Sequence, residues 1–244
     1  MVRRLLVSFV GVGALLVSLV GSQPVQAASG NPVLVVAGLT ETTSQLQTIL
    51  NRLSADGFTA FGMQLPGAVP GCGDIAQSSQ AVATKAQQVL SQTGATHLDV
   101  IGHSEGGLEL RFFIKNLGGA SVVQHYVSLG TPQHGTNAAF NVAGCPAAGQ
   151  MRTNSTFLNT LNSPTDVPGA PAVSYTALGT TRDTLVTPAP QASFLQNGGT
   201  NAAVQQFCPN DTTSHVGLLS DAPTYLLARS ALLGQPLSTN CSAT

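Results

Sequence analysis

Apolar and polar positions alternate along this chain in blocks that read as strands and helices in turn. Val33-Leu34-Val35-Val36-Ala37 is an unbroken apolar run closed by Gly38, the pattern of a strand buried on both faces of a parallel sheet. From Glu41 to Asp56 the apolar positions Leu46, Ile49, Leu50 and Leu53 recur at helical spacing, and Gly57 ends the helix. Phe58 to Met63 reads as a second strand, and Leu65 to Gly73 as a turn-rich loop. Ala76 to Leu90 reads as a helix stopped by Gly94. Leu98, Val100 and Ile101 then mark a third buried strand, Leu108 to Leu117 a helix, and Val122 to Leu129 a fourth strand. Residues 132 to 171 are loop-like apart from a short helix around Phe157 to Leu161. Ala172 to Leu178 and Val204 to Phe207 read as the last two strands. Asp221-Ala222-Pro223 starts a final helix running to about Leu233, with a capping side chain and a proline in its first turn. Strands alternating with helices predict one α/β domain whose parallel sheet is covered on both faces.

Between the third strand and its helix lies Gly102-His103-Ser104-Glu105-Gly106, a G-x-S-x-G turn. A serine on so tight a strand-to-helix elbow is held in a strained conformation, its hydroxyl raised at the carboxyl end of the strand. Gly102 and Gly106 leave room where a Cβ would collide, and Gly107 lets the helix approach the sheet.

Composition narrows the setting. Charged residues make up only 8% of the 244, and the net charge is −1. Arg3-Arg4, the apolar stretch Leu5 to Val20 and the small residues before Ala28 form a secretory signal over residues 1–27. Its apolar part is too short for a typical membrane span. Without it the chain carries 7 basic and 10 acidic side chains, about −3, so no basic face is offered to nucleic acid. Export permits disulfides, and Cys72, Cys145, Cys208 and Cys241 show no C-x-x-C spacing. Two bridges are expected rather than a zinc site. Of three possible pairings we favour the sequential one, Cys72 with Cys145 and Cys208 with Cys241.

A serine hydroxyl is a weak nucleophile unless a base takes its proton and an acid orients the base. With this elbow the chain order is Ser, then Asp or Glu, then His. Of the five histidines, His97 lies at the wrong end of its strand, His103 cannot curl back to its neighbour's hydroxyl, and His125 lies inside a strand. His134 would leave only Glu105 and Glu109 as acids between it and Ser104. For these four the expectation is packing and surface hydrogen bonding. His215, in a Thr/Ser-rich loop before the last helix, fits as the base. Asp183, four residues past the strand-ending Gly179, fits as the acid, with Leu185-Val186 able to fold it back. Asp166 is the runner-up, and Asp211 is too near His215 in sequence. The oxyanion donors expected are the amides of Glu105, after the nucleophile, and Leu39, in the loop after the first strand.

Pro32 to Leu39, Gly102 to Gly107, Gly130-Thr131-Pro132-Gln133-His134-Gly135-Thr136, Tyr175-Thr176 with Asp183 to Pro188, and Ser214 to Leu219 together resemble the secreted actinobacterial triacylglycerol lipases (lipase class 2) of the α/β-hydrolase fold. The resemblance covers nearly all of the mature chain. The C-terminal third is also similar to Candida antarctica lipase B, through Phe194 to Gly198, Phe207-Cys208 and Arg229 to Leu232 ahead of Cys241. These likenesses imply Ser104, Asp183 and His215 as the triad, Leu39 and Glu105 as oxyanion amides, and a Cys208–Cys241 bridge. One departure stands out. The family has His-Gly before the oxyanion residue, and here Ala37 precedes Gly38, which keeps the backbone donor and removes a side-chain support.

The expectation is therefore a carboxylic-ester hydrolase using an acyl-enzyme, without cofactor or metal. It acts as a monomer on acylglycerols or other esters and meets a lipid–water interface only transiently. The rivals are a cutinase, polyester depolymerase or thioesterase with the same triad, an acyltransferase, and a silent hydrolase fold that binds lipid or a partner.

Overall fold

The computed structural model describes residues 30–138 and 144–244, and the expected signal over 1–27 lies outside them. The strands β1 (Val33–Val36), β2 (Ala60–Met63), β3 (Leu98–His103), β4 (Val123–Leu129), β5 (Ser174–Gly179) and β6 (Thr200–Ala203) form one sheet. Their order is β2-β1-β3-β4-β5-β6, with every neighbouring pair parallel. The helices are α1 (Gln47–Ala55), α2 (Ile75–Thr93), α3 (Gly106–Asn116), α4 (Pro146–Gln150), α5 (Thr156–Asn162), α6 (Val204–Phe207) and α7 (Ala222–Leu232).

Period-two geometry divides each buried strand between two cores. Val33, Val35, Ala37 and Ile101 pack with Leu46, Ile49 and Leu53 near α1 and with Leu227, Ala228 and Leu232 of α7. Leu34, Val36 and Val100 face the other way, onto Val82 and Ala86 of α2 and Leu110, Phe113 and Ile114 of α3. Both faces of the sheet are thus covered, which is why the strands read as continuous apolar runs. A third, smaller cluster joins Ile75 and Leu108 to Ala147, Ala148, Leu158 and Leu161 of α4 and α5.

The boundaries depart from the sequence pattern in three places. The first helix begins at Gln47, because residues 42–46 form overlapping turns and the Glu41 side chain folds inward. The segment from 132 to 171 holds a second short helix, α4, opened by Pro146. Val204 to Phe207 is a helical turn, and the last strand is the preceding Thr200–Ala203. There the Gln206 side-chain oxygen accepts the Ala203 amide at 2.7 Å, closing the chain into a turn. Asp221 caps α7 as its position predicts, accepting from the Thr224 amide at 2.7 Å. Both sequential disulfides are formed, Cys72–Cys145 and Cys208–Cys241.

Beneath the sheet's carboxyl edge lies a buried ionic cluster. Asp166 is fully buried, and its Oδ2 accepts from His134 Nε2 at 2.8 Å and from the Gln196 amide at 2.6 Å. Arg111, also fully buried, donates to the Asp166 carbonyl and to Gln133 Oε1. The runner-up acid therefore serves His134 and Arg111 rather than His215. Burial alone would raise the Asp166 carboxyl, but His134, the Gln196 amide and Arg111 outweigh it and hold the carboxyl below its ordinary range. Asp166→Ala strands the guanidinium, and unfolding in urea should show a loss of about 3–5 kcal/mol at neutral pH. A carboxylate held low stabilises the fold above its unfolded pKa near 3.9 and stops doing so as pH falls through the lower folded value. The gap between variant and wild type should therefore narrow in acid.

Candidate active site

The chain leaves β3 at His103, turns through Ser104 and enters α3 at Gly106. Ser104 has φ +51°, a left-handed conformation that L residues other than glycine adopt at a cost of order 1–3 kcal/mol. The elbow's glycines allow that turn. A Cβ on Gly102 would lie 2.5 Å from Gly107 Cα, and one on Gly106 would lie 2.5 Å from the Ala37 carbonyl oxygen. One on Gly107 would overlap Thr131. Gly38 is as tightly held, since a Cβ there would sit 2.7 Å from Ser104 Cβ.

Asp183 and His215 meet as the chain order predicts. Asp183 Oδ2 accepts from His215 Nδ1 at 2.7 Å, and both residues are buried. The other carboxylate oxygen accepts the amides of Leu185 at 2.9 Å and Val186 at 2.8 Å, so the loop folds back on the acid. Thr180 ties this loop to the next, donating to the Thr213 carbonyl at 2.8 Å. The imidazole lies beside the end of β4, where a Cβ on Gly130 would approach His215 Nδ1 to 3.1 Å. The residue before Gly130, Leu129, accepts the Ser104 amide at 2.9 Å, so the elbow and the imidazole share one rim of the sheet.

Backbone donors are sorted sharply around the elbow. The Gly38 amide donates to Glu41 and the Thr40 amide to the Pro70 carbonyl. The Ser104 amide goes to Leu129 and the Gly107 amide to the Ser104 carbonyl. Among the described residues the amides of Leu39 and Glu105 donate to nothing, which leaves both available to an oxygen on the substrate.

The family profile of the palmitoyl protein thioesterases matches residues 32–167, more than half of the chain. The chain belongs to the palmitoyl protein thioesterase family. The stretch shared with the palmitoyl protein thioesterases holds Leu39, Ser104 and Glu105 and stops before Asp183 and His215. Among solved structures, Aspergillus fumigatus lipase B is similar with a TM-score of 0.70 and 20% identity, covering 88% of this chain and 55% of that one. Bacillus licheniformis lipase BlEst2 gives 0.64 at 15% identity in its propeptide form, covering 92% of this chain and 54% of that one. Its mature form gives 0.61 at 18%, covering 82% and 89%. The chain thus spans about half the length of the first two. The likeness establishes the α/β-hydrolase fold.

The side chain of Glu105 bears on the site's charge. It is buried against Glu109, and a Cβ on Gly71 would lie 2.5 Å from its Oε2. Burial first, then the Glu109 and Glu41 carboxyls, push Glu105 far above the carboxylate range. Burial likewise raises Glu109, which accepts from Ser78 Oγ at 3.0 Å. The neutral form of Glu105 is therefore favoured beside its own amide.

Three of the remaining histidines separate from the site. His125 pairs with Asp99 at 2.9 Å, His134 with Asp166, and His97 meets Thr96 on the surface. His103 is wholly buried, as a packing role requires, but its hydrogen bonds are internal, to Glu41 and the His215 carbonyl. Sequence reasoning missed Glu41, Thr136 and Gln133. Thr136 Oγ1 donates to the Leu185 carbonyl at 2.8 Å and accepts the Thr187 amide at 3.0 Å, bracing the Asp183 loop. Gln133 Nε2 donates to Ser128 Oγ at 2.9 Å beneath the elbow. The signal was present in Gly130 to Thr136, which carried a resemblance without an assigned job.

Proposed function

We propose that this protein is a secreted carboxylic-ester hydrolase, with fatty acylglycerols as its first substrate class. The proposal rests on the Asp183–His215 hydrogen bond beside the elbow that carries Ser104. Ser104 Oγ attacks the ester carbonyl while His215 Nε2 takes its proton, and Asp183 steadies the imidazolium. The Leu39 and Glu105 amides receive the oxyanion. His215 returns the proton to the leaving alcohol, and water then repeats the sequence on the acyl-enzyme. No cofactor enters these steps, and a monomer suffices for them. Leu185 and Val216, apolar and exposed beside Asp183 and His215, support an acyl chain or a lipid surface at the mouth. The sequence motifs add the narrower reading of an actinobacterial type of triacylglycerol lipase.

The family match favours a second reading, in which the acyl group arrives as a thioester. The same triad serves both, since only the leaving atom differs. Export is part of the proposal. It rests on the signal-like residues 1–27 and is supported by two disulfides, which suit an oxidising compartment. No described helix is long and apolar enough to cross a membrane.

A substrate panel separates the readings. Triacylglycerol emulsions, p-nitrophenyl esters of increasing chain length and acyl-thioesters are compared, each with Ser104→Ala as control. The lipase reading predicts Ser104-dependent release of fatty acid from the emulsions. Ser104-dependent turnover confined to acyl-thioesters selects the second reading, and its absence from every substrate rejects both.

A further inference from the structure

One buried chain of hydrogen bonds joins the loop carrying Leu39 to the loop carrying His215. Glu41 Oε2 accepts the Gly38 amide at 2.6 Å. The same carboxylate takes His103 Nδ1 on both oxygens, at 2.8 and 2.9 Å. His103 Nε2 then lies 2.9 Å from the backbone carbonyl oxygen of His215. His103 is fully buried, Glu41 nearly so, and the two imidazoles stand 4.9 Å apart at their centroids.

The chemistry of this chain constrains where its protons sit. A carbonyl oxygen can only accept, and so can an ionised carboxylate. The His215 carbonyl therefore requires hydrogen on Nε2 of His103, and an ionised Glu41 at Nδ1 favours a second hydrogen there and a charged ring. Burial opposes that charge, but the Glu41 hydrogen bond and charge outweigh it and raise His103, with the His215 carbonyl and the Asp183 carboxylate adding to the effect. Glu41 is lowered in return by His103, against its own burial, with the Gly38 amide and His215 as further neighbours. The charged pair lies between two parts that must stay in register if an oxyanion held by Leu39 is to form within reach of His215.

We propose that the Glu41–His103 pair is a positioning clamp, holding the oxyanion loop and the base loop at a fixed separation across the nucleophile. The inference rests on the hydrolase reading above. It assigns Glu41 the loop support that Ala37, standing where the lipases carry histidine, does not supply. Neither residue touches substrate. Their effect passes through the Leu39 amide and the His215 backbone.

Steady-state kinetics on folded Glu41→Ala, Glu41→Gln and His103→Phe tests the clamp, with wild type and Ser104→Ala in parallel. Glu41→Ala and His103→Phe should lower kcat about 10²–10³-fold with KM within about threefold, the signature of support lost from the transition state alone. Glu41→Gln should stay within about tenfold of wild type. Its carbonyl can accept the Gly38 amide while its NH₂ donates to a neutral His103 that keeps Nε2–H on the His215 carbonyl. A kcat unchanged in Glu41→Ala and His103→Phe, with only the melting temperature lowered, overturns the clamp, and so does a glutamine variant as impaired as the alanine one. Hydrolysis in wild type that does not depend on Ser104 overturns the parent reading instead. Nitrogen-15 NMR of the full wild-type chain at pH 8, where an unpaired imidazole is almost entirely neutral, needs no variant to fold. The clamp predicts hydrogen on Nε2 of His103, facing the His215 carbonyl, and a neutral ring protonated only at Nδ1 contradicts it.

Discussion

Ser104→Ala is expected to lower kcat by about 10⁴–10⁶-fold while the protein stays folded. The substitution removes one oxygen and leaves the Cβ in place, so the close approach to Gly38 and the left-handed turn at φ +51° persist. Alanine meets the same backbone strain as serine there, so little stability should be lost, and matched thermal melts check that. What disappears is the only route to an acyl-enzyme. The residual rate, from binding and the two free amides, should still exceed that of water. A variant with near-normal turnover on the best substrate of the panel would remove Ser104 from the mechanism.

Asp183→Asn is expected to cost about 10⁴-fold in kcat with little change in stability. The reason lies in how the carboxylate is held. One oxygen accepts the Leu185 and Val186 amides, and only the amide oxygen of asparagine can replace it there. The asparagine NH₂ is then forced toward His215 Nδ1, where Asp183 had accepted a hydrogen. The imidazole must take its proton on Nε2 to receive that donor, and an Nε2–H cannot accept the serine proton. The geometry survives and the tautomer is wrong. Steady-state rates and the pH profile of kcat/KM check this, since the wild-type imidazole limb should be lost in the variant.

Much of the fold was readable because strands buried on two faces have no polar positions to hide. Val33 to Ala37 and the run ending at Ile101 could be little else. At β6 the reading failed. Thr200 and Asn201 lie exposed on the outermost strand and carry no apolar signal, while Val204 and Phe207 drew the assignment into what is a helical turn. The same physics separates the site into legible and hidden parts. Ser104 is marked by glycines at fixed offsets, each needed where a Cβ would strike the neighbouring backbone or side chain. Asp183 and His215 followed from chain order and loop position, and the structure joins them at 2.7 Å. Glu41 was hidden because its partner lies 62 residues away, so no local spacing reveals it. It looked instead like an acidic residue opening a helix. An acid three residues past Gly38 was the available clue.

The most direct measurement is the site and histidine dependence of phosphonylation. The folded wild-type protein is treated with a fluorophosphonate, digested and mapped by mass spectrometry, with His215→Gln treated alongside. The account predicts one adduct, on Ser104, formed rapidly in wild type and far more slowly in the variant. An unmodified Ser104 in the folded wild type, or equal labelling rates in the two proteins, would contradict it.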